Sequence, residues 1–212
     1  MSVFLTGTDT GVGKTYTAVC LLRLLRALGL RCVGMKPICC GDRSDAELLL
    51  TAGSGGATLD EVNPVWLRTP AAPFTAALIE DAPVDRGRIL AGLADLQKRY
   101  DFVVVEGVGG WLVPIGRNYF VSDLAVEMAL PVVVVAMNRL GCLNHTMLSV
   151  RSVAAHGLAC RGVALNSPAT AIDIASETNG NILEQIAGVP ILPGLSAGTE
   201  ELSRGWRDAL GL

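Results

Sequence analysis

Histidine is almost missing from this 212-residue chain, which has only His145 and His156. The six cysteines, Cys20, Cys32, Cys39, Cys40, Cys142 and Cys160, contain no CxxC pair, so no zinc-ligand spacing exists. A disulfide framework is not expected in a chain this long with no secretion signal, and the thiols read as small reduced hydrophobes. A basic surplus is missing too. The formal net charge is -3 and the pI about 5.4, so there is no electrostatic footprint for nucleic acid. Long apolar runs are also lacking. A membrane helix needs about 20 consecutive apolar residues. The most apolar helical stretch, Ala18 to Leu30, is broken by Arg23 and Arg26, and Leu130 to Met137 is too short to span. No basic n-region or cleavage site precedes the first strand, so neither a signal peptide nor a membrane partner is expected, and the chain is expected to be cytoplasmic. No internal repeat, low-complexity segment or linker stands out.

What is present is hydrophobicity, at 50% of residues and a mean hydropathy of +0.45. A parallel sheet buried on both faces accounts for it, because its strands read as continuous Val/Ile/Leu runs. Strands are expected at Val3–Thr6, Arg31–Lys36, Phe102–Glu106, Pro131–Met137, Gly162–Asn166 and Val189–Leu192. Helices are expected at Lys14–Ala27, at Ser44–Ala52 with Ser44 as N-cap, and at Asp85–Lys98, Asn144–His156, Ala171–Ile186 and Glu200–Leu210. The Gly/Pro-rich stretch Gly53–Pro83 reads as mostly irregular. Such alternation predicts one α/β domain over residues 1–212, a doubly wound, mainly parallel sheet, and the Gly-rich Gly7–Thr15 turn after its first strand makes it of the P-loop NTPase kind.

The strongest motif is Gly7-Thr8-Asp9-Thr10-Gly11-Val12-Gly13-Lys14-Thr15, between the first strand and the first helix. Its glycines let backbone N–H groups turn inward around phosphate oxygens, and the helix behind adds its N-terminal donors. Lys14 is expected to reach the β- and γ-phosphates, and the Thr15 hydroxyl to ligate magnesium. Thr8 stands where the strict pattern has glycine, so the loop is a variant of its class. Three more residues belong to strand ends, which face the ligand in this architecture. Lys36 ends the second strand, and Glu106 ends a later one and runs into Gly107-Val108-Gly109-Gly110. Asp45 opens the helix after the second strand. Magnesium and phosphate together need such oxygen ligands and cations.

These segments resemble the dethiobiotin synthetases. The resemblance runs through Thr6 to Thr15, Lys36-Pro37, Ser44-Asp45-Ala46, Val62-Asn63-Pro64, Val105-Glu106-Gly107-Val108-Gly109-Gly110-Trp111 and Leu140-Gly141-Cys142-Leu143-Asn144-His145. It implies a Mg2+-dependent enzyme that carboxylates 7,8-diaminopelargonic acid with CO2. ATP would phosphorylate the carbamate, and the second amine would close the ureido ring and release ADP and phosphate. It implies Lys36 and Lys14 as catalytic residues, and Thr15, Asp45 and Glu106 as metal ligands. The nucleotide would be held by Gly11, Val12, Gly13, Lys14, Thr15 and Tyr16, by Asp45, by Glu106, Gly107, Val108 and Gly109, and at the adenine by Asn166. Thr10, Lys36 and Cys40 would touch the substrate. Gly141, Cys142 and Asn144 would take its carboxylate end across a homodimer interface, giving a shared active site.

Three positions depart from the family. Cys40 stands where a hydroxyl residue is usual, Ser167 follows Asn166 where aspartate is usual, and Pro193 to Glu201 has no clean acidic match. The competing reading is a switch ATPase of the partitioning and division-site type, acting on a protein partner. Those proteins carry a second lysine five residues before the P-loop lysine, and that position here is Asp9. Cobyrinate and cobyrate amide synthetases add a glutaminase domain, and none is expected here.

Overall fold

The computed structural model describes residues 1–167 and 173–212. Strand β1 (Ser2–Gly7) leads through the P-loop into α1 (Lys14–Ala27), then β2 (Cys32–Met35), β3 (Ile38–Cys40) and α2 (Ser44–Ala52). Next come α3 (Leu59–Val62), β4 (Val65–Leu67), α4 (Pro73–Glu80), α5 (Arg86–Arg99) and β5 (Phe102–Gly110). The hairpin β6 (Pro114–Gly116) and β7 (Tyr119–Phe120) precedes α6 (Val121–Met128), β8 (Val132–Met137) and α7 (Cys142–Ala155). The described chain closes with β9 (Cys160–Asn166), α8 (Ile174–Ile186), β10 (Ile191–Pro193) and α9 (Arg204–Leu210).

Six strands form one sheet in the order β10-β9-β8-β1-β5-β2, with parallel pairing at every edge. The apolar runs belong where the composition argued. Val3, Phe4 and Leu5 in β1 and Val132 to Ala136 in β8 are fully buried, so these strands are covered on both faces. Consecutive residues of β2 show the two layers, since side chains alternate across a strand. A Cβ on Gly34 would strike Leu22 of α1 and Leu49 of α2, while Met35 reaches Gly92 of α5 on the other side. Register then positions the chemistry. Leu5 pairs with Glu106, and Met35 pairs with Val105. Lys36 and Glu106 therefore leave the sheet side by side, next to the P-loop that β1 feeds.

Helix α1 spans the expected residues, and most other elements shift by one to four positions. Lys36 lies one residue past β2, β5 continues to Gly110, α7 starts at Cys142, and α9 starts at Arg204 rather than Glu200. Ser44 is not an N-cap. Arg43 holds that position, and the N–H and hydroxyl of Ser44 both donate to Asp42 Oδ1. Gly53–Pro83, expected as mostly irregular, holds α3, β4 and α4, which take up about half of it. The start expected for α8 at Ala171 lies outside the described residues. The helix described begins at Ile174, with Asp173 accepting the Ser176 N–H.

Candidate active site

The P-loop is braced from the far side of β1. Gly13 sits at φ +89°, and a Cβ there would come within 2.6 Å of the Asn166 amide nitrogen. That amide donates to Val12 O at 3.0 Å and to Thr17 Oγ1 at 3.1 Å. Asn166, at the end of β9, therefore holds the loop's backbone. Lys14 is buried and its Nζ donates to Asp9 O at 3.0 Å. Burial, and then the neighbouring Lys36 charge, lower its pKa to about 8.

Beyond the loop lies a buried ionic cluster. Lys36 is only 4% exposed and Glu106 1%. Lys36 Nζ lies 2.5 Å from Glu106 Oε1 and 2.7 Å from Asp45 Oδ2. Thr15 donates its hydroxyl to the same Glu106 Oε1 at 2.7 Å. Burial opposes the Lys36 charge, but Glu106 and Asp45 outweigh it and hold its pKa above the usual lysine value. The Thr15, Lys36, Asp45 and Glu106 expected from four separate segments thus converge on one point.

Two residues behind Lys36 carry a role that the motif comparison left unassigned. The Asn63 side-chain amide, almost fully buried, donates to Lys36 O and Val65 O, both at 2.8 Å. Arg43 Nε donates to Asn63 Oδ1 at 3.0 Å, and Arg43 Nη2 pairs with Asp60 at 2.9 Å. A polar side chain in an otherwise apolar stretch, Val62-Asn63-Pro64-Val65, was the available signal, since a buried amide must find partners.

A cleft of about 990 Å³ opens over the cluster. Its walls include Thr10, Gly11, Gly13, Lys14, Thr15 and Tyr16 from the loop side. Lys36, Cys40, Asp45, Glu106, Val108 and Gly109 face them. Ile38, Leu48, Val113 and Pro70 to Pro73 give it an apolar side. Burial pushes the Cys40 thiol up to about 11, so it is a neutral thiol at physiological pH. Tyr16 accepts a hydrogen bond from the Ala197 N–H at 3.0 Å, tying α1 to the loop after β10. Val12 and Gly107 are buried beneath the walls rather than lining them. Gly141, Cys142 and Asn144 are not in this cleft. They form the N-terminal turn of α7, where the buried Cys142 thiol contacts Thr146 Oγ1 at 3.6 Å and Asn144 is exposed. A second cavity of about 600 Å³, between α4 and the β6–β7 hairpin, holds none of these residues, and its Arg86 is engaged by Glu127.

The donor set fits magnesium, a hard cation held in nucleotide sites by one or two carboxylates together with phosphates and water. Thr15, Asp45 and Glu106 offer hydroxyl and carboxylate oxygens, and Glu106 Oε2 is buried without a hydrogen-bond partner among the described residues. No group of three His, Cys, Asp or Glu side chains suited to a metal occurs among the described residues, as expected where phosphate completes the shell.

Comparison with known proteins agrees with this geometry. An AAA-domain family model matches residues 1–199. The chain is similar to proteins named ATP-dependent dethiobiotin synthetase BioD. That from Akkermansia muciniphila is 44% identical over 92% of both chains, and that from Aromatoleum aromaticum is 40% identical over 89% of this chain and 87% of its own. Among solved structures, the signal recognition particle 54 kDa protein from Aeropyrum pernix aligns with a TM-score of 0.60 at 17% identity, over 99% of this chain and 46% of its own. The MinD cell division protein from Aquifex aeolicus aligns at 0.54 and 16%, over 91% and 81%. These two share the fold alone. With relatives at this identity over nearly their whole length, and the P-loop, Lys36, Asp45 and Glu106 converging in one cleft, the chain belongs to the dethiobiotin synthetase family.

Proposed function

We propose that the chain is an ATP-dependent dethiobiotin synthetase, which carboxylates 7,8-diaminopelargonic acid with CO2 and closes the ureido ring by way of a phosphorylated carbamate. The observation that carries this reading is Lys36. A buried lysine facing the P-loop lysine across a shared cleft supplies a cation for an anionic acceptor as well as one for the nucleotide. The switch-ATPase alternative has only a distant likeness of fold behind it.

In this reading Gly11 to Tyr16 cradle the phosphates, and Asn166, expected at the adenine, instead keeps the loop in shape from behind. Lys14 neutralises charge on the β- and γ-phosphates. Magnesium, held by Thr15, Asp45 and Glu106, supplies further charge neutralisation at the transferring phosphoryl group. Lys36 holds the carbamate oxygen in line for phosphorylation, a preorganised electrostatic contribution. Lys14 and Lys36 then stabilise the acyl phosphate while the second amine attacks its carbon, expelling phosphate. Holding amine and acyl phosphate adjacent removes the entropic cost of their encounter. Thr10 and Cys40 border the diamine, and the aliphatic chain runs along Ile38, Val113 and Pro70 to Pro73.

The carboxylate end is taken by a second copy. Gly141, Cys142 and Asn144 open α7, whose N-terminal N–H groups suit an anion. Leu140, just before α7, and Asn144 and Leu148 on it are exposed, Leu140 by 83% and Leu148 by 62%. These exposed side chains are available for burial against another subunit in a two-fold homodimer. A small-molecule enzyme in the cytoplasm, without nucleic-acid or membrane partner, completes the reading. Among the described residues no helix is long and apolar enough to cross a membrane.

The test is ADP release with and without diaminopelargonate and bicarbonate, with the product identified by mass. Release that requires both is expected, with a product heavier than the diamine by one carbonyl less the two amine hydrogens it replaces. ADP release indifferent to the diamine would refute the assignment.

A further inference from the structure

Lys36 has two calls on one ammonium group. To hold a carbamate it must aim its hydrogens at an anionic oxygen in the cleft. In the structure it gives two of its three donors to Glu106 Oε1 and Asp45 Oδ2. These carboxylates are also two of the three groups offered to magnesium. A cation bound by both would lie within a few ångströms of Nζ, at the dielectric of a buried site, where like charges repel strongly. The carboxylates themselves need a positive neighbour at all times. Glu106 is buried, and Lys36 is the cation that lies against it.

We infer that Lys36 is the interim counter-ion of the metal ligands. It holds both carboxylates in place until a divalent cation takes them, and that exchange releases its ammonium toward the substrate. The exchange is local. Lys36 lies one residue past β2 with its carbonyl pinned by Asn63, so its backbone stays while the side chain swings. Thr15, already on Glu106 Oε1, keeps the carboxylate oriented during the change. The consequence is a positive coupling between divalent cation and anionic substrate, which linkage makes reciprocal. This deepens the synthetase reading and rests on it for the identity of the anion. The exchange between cations does not depend on that identity.

The test uses Mn2+ as the probe metal and the whole chain with saturating ADP. Calorimetry or the electron paramagnetic resonance of free Mn2+ compares wild type with Lys36→Met. Removing the competing ammonium should tighten Mn2+ binding at least about tenfold, the scale of a typical coupling between sites. In wild type, Lys36 acylation by an amine reagent is followed by mass spectrometry, which needs no variant to fold. Labelling should rise several-fold when Mn2+ is added to the ADP complex, because the amine leaves the two carboxylates and swings into the cleft. Equal Mn2+ affinity in the two proteins, or Lys36 labelling that ignores the metal, overturns the exchange. If neither protein binds Mn2+, the exchange and the magnesium site fall together. If Mn2+ tightens as expected while diaminopelargonate is not turned over, the exchange stands and only the substrate reading falls.

Discussion

The two ends of the proposed substrate path are built differently. At the reacting end Lys14, Lys36 and Glu106 are buried, Lys36 is ion-paired with Glu106, and the register of three adjacent strands brings them together. At the other end, the turn that opens α7 shows Leu140 and Asn144 to solvent, away from the cleft. Charges that transfer a phosphoryl group work best in a preorganised, water-poor site, so one chain supplies them whole. A turn that only receives a distant carboxylate can be left exposed and completed by a second copy.

The reacting end should break hardest. Lys14→Ala removes the phosphate cation and should lower turnover by a factor on the order of a hundred or more, as loss of a transition-state donor does. Steady-state assays retaining more than about a tenth of the wild-type rate would contradict this placement. Glu106→Gln and Asp45→Asn should each weaken Mg-nucleotide binding roughly tenfold or more, measured by calorimetry, with smaller losses in melting temperature. A tenfold loss is about 1.4 kcal/mol. Asn63→Ala should cost about 1–3 kcal/mol of stability by leaving buried carbonyls of Lys36 and Val65 unpaired. It should lower kcat more than it raises the KM for ATP, because it loosens Lys36 and leaves the P-loop alone.

A gentler probe uses pH. Free Lys14 titrates at about 8, and bound phosphates would favour its charged form. Nucleotide binding should therefore take up a proton around and above pH 8, and affinity should fall as pH rises through that range. Calorimetry in buffers of different ionisation enthalpy reads this directly, and no proton uptake would mean Lys14 does not meet the phosphates. The smallest effect is expected from Cys40→Ser. A hydroxyl is a better hydrogen-bond partner than a neutral thiol, so activity should hold or KM for the diamine should fall. A large loss would show that the thiol itself is needed.

The same division explains what could be read from the sequence. Helix α1 was legible to the residue because Gly13 and Lys14 mark its start and a long apolar face follows. Lys36 and Glu106 could be singled out because each stands at or near the end of an apolar strand, whereas Asp45 was marked only by its place in the first turn of α2. The elements of Gly53–Pro83 were hidden by their size. β4 has three residues and exists by pairing with β3, a contact that no local pattern announces. Two local signs were nonetheless present, the Thr58–Glu61 capping box of α3 and Pro73 at the first position of α4. The brace role of Asn166 and the Asn63–Arg43 support depend on tertiary contacts alone, as does the exchangeable position of Lys36.

Subunit mixing tests the composite site most directly. Lys36→Ala lacks the reacting end, and Asn144→Ala weakens the receiving turn, so each homodimer is crippled at both of its sites. A mixed dimer places both defects in one site and leaves the other intact. After exchange proven by mass, an equal mixture should recover about a quarter of wild-type turnover, since half the dimers carry one of two intact sites in a two-fold assembly. A mixture that stays as inactive as its parents after exchange, or a wild-type chain that is monomeric while turning over, would contradict the shared site.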